Sequence, residues 1–108
     1  MADAYDYLAA SNPANTDEAE LYAVPASTEL IGNLIVCNQA ASDVTFGVAL
    51  TATSGAASSA QWIRKDVSLL ANLPHDIGPI SLGAGRTIRI KSGSANNISF
   101  VLTGVLIT

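Results

Sequence analysis

The chain has one cysteine, one histidine and five basic residues in 108 positions, with 13% of residues charged and 6% aromatic. Each scarcity removes a class of function. A single cysteine forbids an intrachain disulfide, and Cys37 sits in the apolar run Leu34-Ile-Val-Cys37, where it reads as a small buried hydrophobe. One His and one Cys far apart give no metal-ligand spacing, and the acids form no calcium loop, so neither a metal nor a cofactor is expected. Few bases and a net charge of -4 argue against nucleic acid, because a binder must neutralise several phosphates with clustered Lys and Arg. No apolar run approaches the roughly 20 residues of a membrane span, so no membrane partner is expected. The opening Met1-Ala-Asp-Ala-Tyr-Asp-Tyr7 lacks the basic region and apolar core of a signal peptide, which predicts a soluble protein made in the cytoplasm.

Small and apolar residues fill the space these absences leave. Hydrophobic residues make up 49% of the chain, but alanine alone supplies 18 positions, so large core-filling side chains are fewer than that fraction suggests. A chain of this length makes one domain with one core. The charges divide along it: before Gln61 there are seven acids and no base, and after it five bases and two acids. Two readings follow. Either the charges decorate solvated strand faces, or the acidic part of one subunit meets Arg64, Lys65, Arg86, Arg89 or Lys91 of a neighbour.

Residues 1–18 are polar, interrupted by Pro13 and without periodicity, and are predicted to form an extended N-terminal arm ahead of a domain over 19–108. Tyr5, Tyr7 and Leu8 on that arm are candidate anchors for another surface, the alternative being an arm folded back on its own domain. On this view the domain folds without residues 1–18. From Ala19 onward, short apolar segments alternate with turn clusters, the grammar of an antiparallel two-sheet β-sandwich of jelly-roll type. Strands are predicted at Glu20–Val24, Leu30–Asn38, Val44–Thr51, Gln61–Leu70, near Ile80–Leu82, at Thr87–Lys91 and from Ile98 onward. In the third of these Val44, Phe46, Val48 and Leu50 share one face, the period of a half-buried strand. The last carries Ile98, Phe100, Leu102 and Leu106 on one side and Val101, Val105 and Ile107 on the other. A strand apolar on both sides in so small a domain implies a covered outer face, and Val101, Val105 and Ile107, with Arg89 and Lys91, are the candidate subunit interface.

Residue patterns that imitate chemistry are weak. Gly83-Ala-Gly85 opens like a dinucleotide fingerprint, but the third glycine is missing and a strand pattern follows where a helix is required. His75-Asp76 in a serine-rich chain meets two members of a hydrolytic triad, yet no Gly-x-Ser-x-Gly elbow occurs. No catalytic residue is assigned. Trp62 is large enough to anchor an interface or stack on a sugar ring, the plainer reading being a core residue.

Leu21-Tyr-Ala-Val-Pro-Ala26, Val36-Cys-Asn38, Thr45-Phe-Gly-Val48, Leu82-Gly-Ala-Gly-Arg-Thr-Ile-Arg-Ile-Lys-Ser92 and Asn97-Ile-Ser-Phe-Val-Leu-Thr-Gly104 together resemble small structural proteins of tailed bacteriophage particles. The resemblance implies a β-sandwich virion component without catalytic residues. It leads us to expect a capsid decoration, or cement, protein that assembles as a homotrimer and clamps the major capsid protein. The alternative is a tail, neck or fibre component, and a more distant one a glycan-binding module using Trp62.

Overall fold

A computed structural model describes residues 6–52 and 55–108. These residues form eight strands: β1 Asp6–Ser11, β2 Ala19–Ala23, β3 Glu29–Asn38, β4 Val44–Thr51, β5 Trp62–Leu69, β6 Pro74–Leu82, β7 Thr87–Ser92 and β8 Ile98–Ile107. Sheet A has the order β1-β8-β3-β6 and sheet B the order β2-β7-β4-β5. Every ladder is antiparallel. First pairs with last, second with seventh, third with sixth and fourth with fifth, which is the nested pairing of a jelly roll. The expected all-β sandwich is therefore the observed one. No helix among the described residues is long and apolar enough to cross a membrane.

The alternation read in the sequence places the core. Phe46 and Val48 of β4, Ile88 and Ile90 of β7, Leu30, Leu34 and Val36 of β3, and Ile98, Phe100 and Leu102 of β8 are buried between the sheets. Such side chains stabilise the fold by about 1.5–3 kcal/mol each when fully withdrawn from water. The β3/β8 ladder runs without a break from Glu29↔Ile107 to Asn38↔Ile98. At its middle, Gly32 and Gly104 face each other, and a Cβ on Gly104 would lie 2.6 Å from the Ile31 carbonyl oxygen and 2.7 Å from the Gly32 Cα. Only glycine fits that approach.

One polar side chain ties the two sheets at one end of the sandwich. Asn38, fully buried at the end of β3, donates through Nδ2 to the carbonyls of Ser42 (2.9 Å) and Leu69 (3.0 Å). Its Oδ1 accepts from the Ala40 N–H at 2.8 Å. Sheet A is thereby joined to the β3–β4 turn and to the last residue of β5 in sheet B, with every hydrogen-bonding site of the amide used at least once.

Two expectations need correction. The segment read as an extended arm, with an arm folded back on its own domain as the alternative, contains a strand: Asp6–Ser11 pairs with β8 as the edge of sheet A, and Leu8 and Ala9 pack against the core. Two alanines and a serine in six residues give little strand signal, and the register shift between Tyr7 and Ala9 breaks what alternation there is. Removing residues 1–18 would thus take away a strand of the sandwich. The polar connection expected at Ala71–Asp76 is shorter than its composition suggested, because β6 begins at Pro74 and takes in His75 and Asp76. Pro74 and Pro79 concealed it, and both are compatible with a strand at a sheet edge, where no neighbour needs the missing N–H.

Candidate functional site

The strand registers assemble an apolar surface on the outer face of sheet A. Because Leu30, Leu34, Val36, Phe100 and Leu102 point inward, the alternate residues of β3 and β8 point out. The register sets Ile31 beside Val105 and Ile35 beside Val101, with Ile107 one step further along β8. Tyr7 of β1 joins them opposite Thr103. Tyr7 is 61% exposed and Ile35 38%, while Ile31, Val101, Val105 and Ile107 are half-buried. Val101, Val105, Ile107 and Tyr7, named from the sequence, lie on this face together with Ile31 and Ile35, which were not named. The missing clue was pairing: β3 plainly lacked clean alternation, but nothing local says that it lies beside β8.

Of the other anticipated site residues, Tyr5 lies outside the described residues. Leu8 packs against the core rather than projecting as an anchor. Arg89 and Lys91 are on β7 in sheet B, so the proposed interface residues divide between two different sheets and do not form one patch. Arg89 is moreover engaged within its own chain, its Nε donating to Glu18 Oε2. The same carboxylate oxygen accepts from the Ala57 N–H at 2.9 Å and so pins the β4–β5 loop. Burial pushes the Glu18 pKa upward, but the Ala57 hydrogen bond, the Arg89 hydrogen bond and charge, and the nearby Lys91 together hold it below the usual carboxylate value.

The bases, though not the acids, divide between the sheets. All five bases sit on sheet B or its connections: Arg64 and Lys65 on β5, Arg86 before β7, Arg89 and Lys91 on β7. The strands of sheet A carry Asp6, Glu29 and Asp76 and no base. Glu29 is opposite Ile107 and Asp76 opposite Ile35, both exposed, so an acidic rim borders the apolar face.

Groups that could support covalent chemistry are dispersed. His75 pairs with Val36 and turns toward the interior, its ring centroid 5.5 Å from that of Phe46, and the next residue, Asp76, takes the outer side. Adjacent strand residues face opposite ways, so these two cannot act together on one substrate. The Arg64 Nε–H points at His75 Nε2 at a long 3.5 Å. Trp62 is half-buried on the outside of sheet B, with its ring over Gly47 and Lys65 Nζ 6.0 Å from the ring centroid. An open cleft of about 450 Å³ bordered by Asp17, Asp66 and Lys91 holds charges of both signs but no nucleophile paired with a base. Among the described residues no group of three or more His, Cys, Asp or Glu is placed to hold a metal ion.

No protein-family model matches the chain. No curated protein matches it in sequence either. Among solved structures, the coat protein of Tobacco streak virus superposes with a TM-score of 0.55 at 13% identity, covering 98% of this chain and 86% of that one. A structure of the Tobacco streak virus coat protein dimer gives a TM-score of 0.49 at 14% identity, covering 94% and 85%. The first likeness is one of fold: the whole sandwich, β1 included, follows the path of that coat protein.

Proposed function

We propose that the chain is a non-enzymatic structural protein of a virion, made in the host cell, that decorates the outside of a capsid and holds neighbouring shell subunits together. The observation that carries this reading is the apolar outer face of sheet A, a surface made for a macromolecule on a domain with no assembled chemistry among its described residues. The coat-protein fold of the Tobacco streak virus structure supports the same class. Charge supports a decoration role over a genome-enclosing one: residues 1–63 contain no Lys or Arg that could meet packaged nucleic acid.

Binding only to the assembled shell stabilises it by mass action. Four strands spaced about 4.8 Å apart and rising about 3.3 Å per residue present an outer face of roughly 500 Å². That is less than the roughly 800 Å² per partner of a standard stable interface. A single copy therefore holds weakly, and a homotrimer multiplies its grip through effective concentration. Locating and counting the chain in images of the particle tests the reading. Hundreds of copies spread over the shell are expected. A dozen or fewer at one vertex would make it a tail or neck component instead, and absence from the particle would overturn the virion reading.

A further inference from the structure

The outer face of sheet A has two apolar patches flanking the Asn33/Thr103 pair, an acidic rim and no compensating base, and that combination selects its partner. The arrangement is fixed by register: Ile31 beside Val105 and Ile35 beside Val101, in rows on either side of the Asn33/Thr103 pair, with Glu29 and Asp76 at their borders. If two copies met through this face, Glu29 and Asp76 of both would be gathered around one interface, because none of the five bases lies on sheet A to separate them. Like charges at a rim oppose association, and opposite ones steer it. The bases of a second copy lie on sheet B, where acids accompany them: Glu20 is opposite Arg89, Glu18 is bonded to it, and Asp17 and Asp66 border one cleft with Lys91. Sheet B is accordingly a poor complement too.

Resting on the virion reading above, we infer that the outer face of sheet A is the attachment surface for the shell, and that its partner is an apolar protein patch bordered by Lys or Arg rather than a second copy of this chain. This reassigns Val101, Val105 and Ile107 from a contact between copies to a contact with the particle. The surfaces by which copies meet lie elsewhere on the domain.

Salt and charge reversal separate the possibilities. Particles of the virus that encodes this chain, assembled without it, are mixed with the purified full-length chain and sedimented at low and near-molar salt. The wild type is expected to bind at low salt and to weaken several-fold as salt rises, because the rim contacts are screened. Glu29→Lys with Asp76→Lys, both exposed, is expected to weaken binding about tenfold at low salt without changing the melting temperature by more than a few degrees. Val101→Lys is expected to remove binding, whereas Lys65→Glu on the opposite sheet leaves it unchanged. Circular dichroism of each variant confirms that it is folded. If the Glu29→Lys/Asp76→Lys protein binds as tightly as wild type, the partner is not basic-rimmed and the inference fails. It also fails if the free chain self-associates more strongly as salt rises and Val101→Lys abolishes that association, since a second copy then covers the face. Wild-type chain that never sediments with the particles overturns the virion reading, and the attachment surface with it.

Discussion

Replacing Asn38 with alanine removes three hydrogen bonds from one buried amide, and their surroundings determine the loss. Ser42 is exposed and Ala40 half-buried, so the Ser42 carbonyl and the Ala40 N–H recover water once the side chain is gone. Each of those bonds is worth about 0.5–1 kcal/mol net. The Leu69 carbonyl is different, because Leu69 is only 5% exposed and its oxygen is left without this donor in a dry site, a penalty of about 1–3 kcal/mol. The sum is about 3 kcal/mol. For a domain of this size that lowers the melting temperature by about 12 °C, at about 4 °C per kcal/mol. Urea unfolding of Asn38→Ala followed by tryptophan fluorescence should show a lower midpoint with an unchanged slope, since no strand is lost. Asn38→Asp should be worse at neutral pH, where a carboxylate faces two carbonyl oxygens, and should recover part of the loss in acid when it regains one donor. A loss below about 0.5 kcal/mol for Asn38→Ala, the level expected at an exposed site such as Gln39, would refute the claim that this amide clamps the sheets.

Gly104→Ala should cost about 2–3 kcal/mol in the same assay, because the added carbon meets backbone of the neighbouring strand that no rotamer change can move. Deleting residues 1–11 should lower the midpoint and promote aggregation measured by light scattering, since it bares the β8 ladder and uncovers the core at Leu8 and Ala9; an unchanged, monomeric protein would contradict the placement of β1. Glu18 has a lowered folded pKa, so its contribution is present above the unfolded carboxylate value and is lost as pH falls through the folded one. Glu18→Gln should therefore lose less than about 1 kcal/mol at neutral pH and flatten the acid limb of the stability profile, and a variant whose acid limb keeps the wild-type slope would show that Glu18 contributes nothing there.

The sandwich was legible wherever one side of a strand is buried and the other wet. Thr87-Ile-Arg-Ile-Lys91 declares its inward isoleucines without any knowledge of its neighbours, and Val44 to Leu50 does the same. The two edges of sheet A were less legible than β2 and β5, the edges of sheet B, because their demands are looser. Asp6–Ser11 needs only one ladder and two core contacts, and Pro74–Leu82 tolerates two prolines that a central strand would reject. The candidate surface was half legible for a related reason. A local pattern reveals that Val101 and Val105 need a cover, but it takes the β3/β8 register to place Ile31 and Ile35 beside them. Arg89 misled in the opposite way: its charge was visible, whereas its partner Glu18, far away in sequence, was not.

The nested pairing of the strands has a consequence for time as well as for shape. Ser11 pairs with Phe100, so β1 cannot take its place until β8 has left the ribosome. Until then β1, with Tyr7 and Leu8, waits without its ladder, and the core of sheet A stays open along that side. Contacts so distant in sequence are slow to form, typically milliseconds to seconds for all-β domains. β8 is therefore the strand on which sheet A waits, since it pairs with β1 and β3 at once and completes the outer face between them.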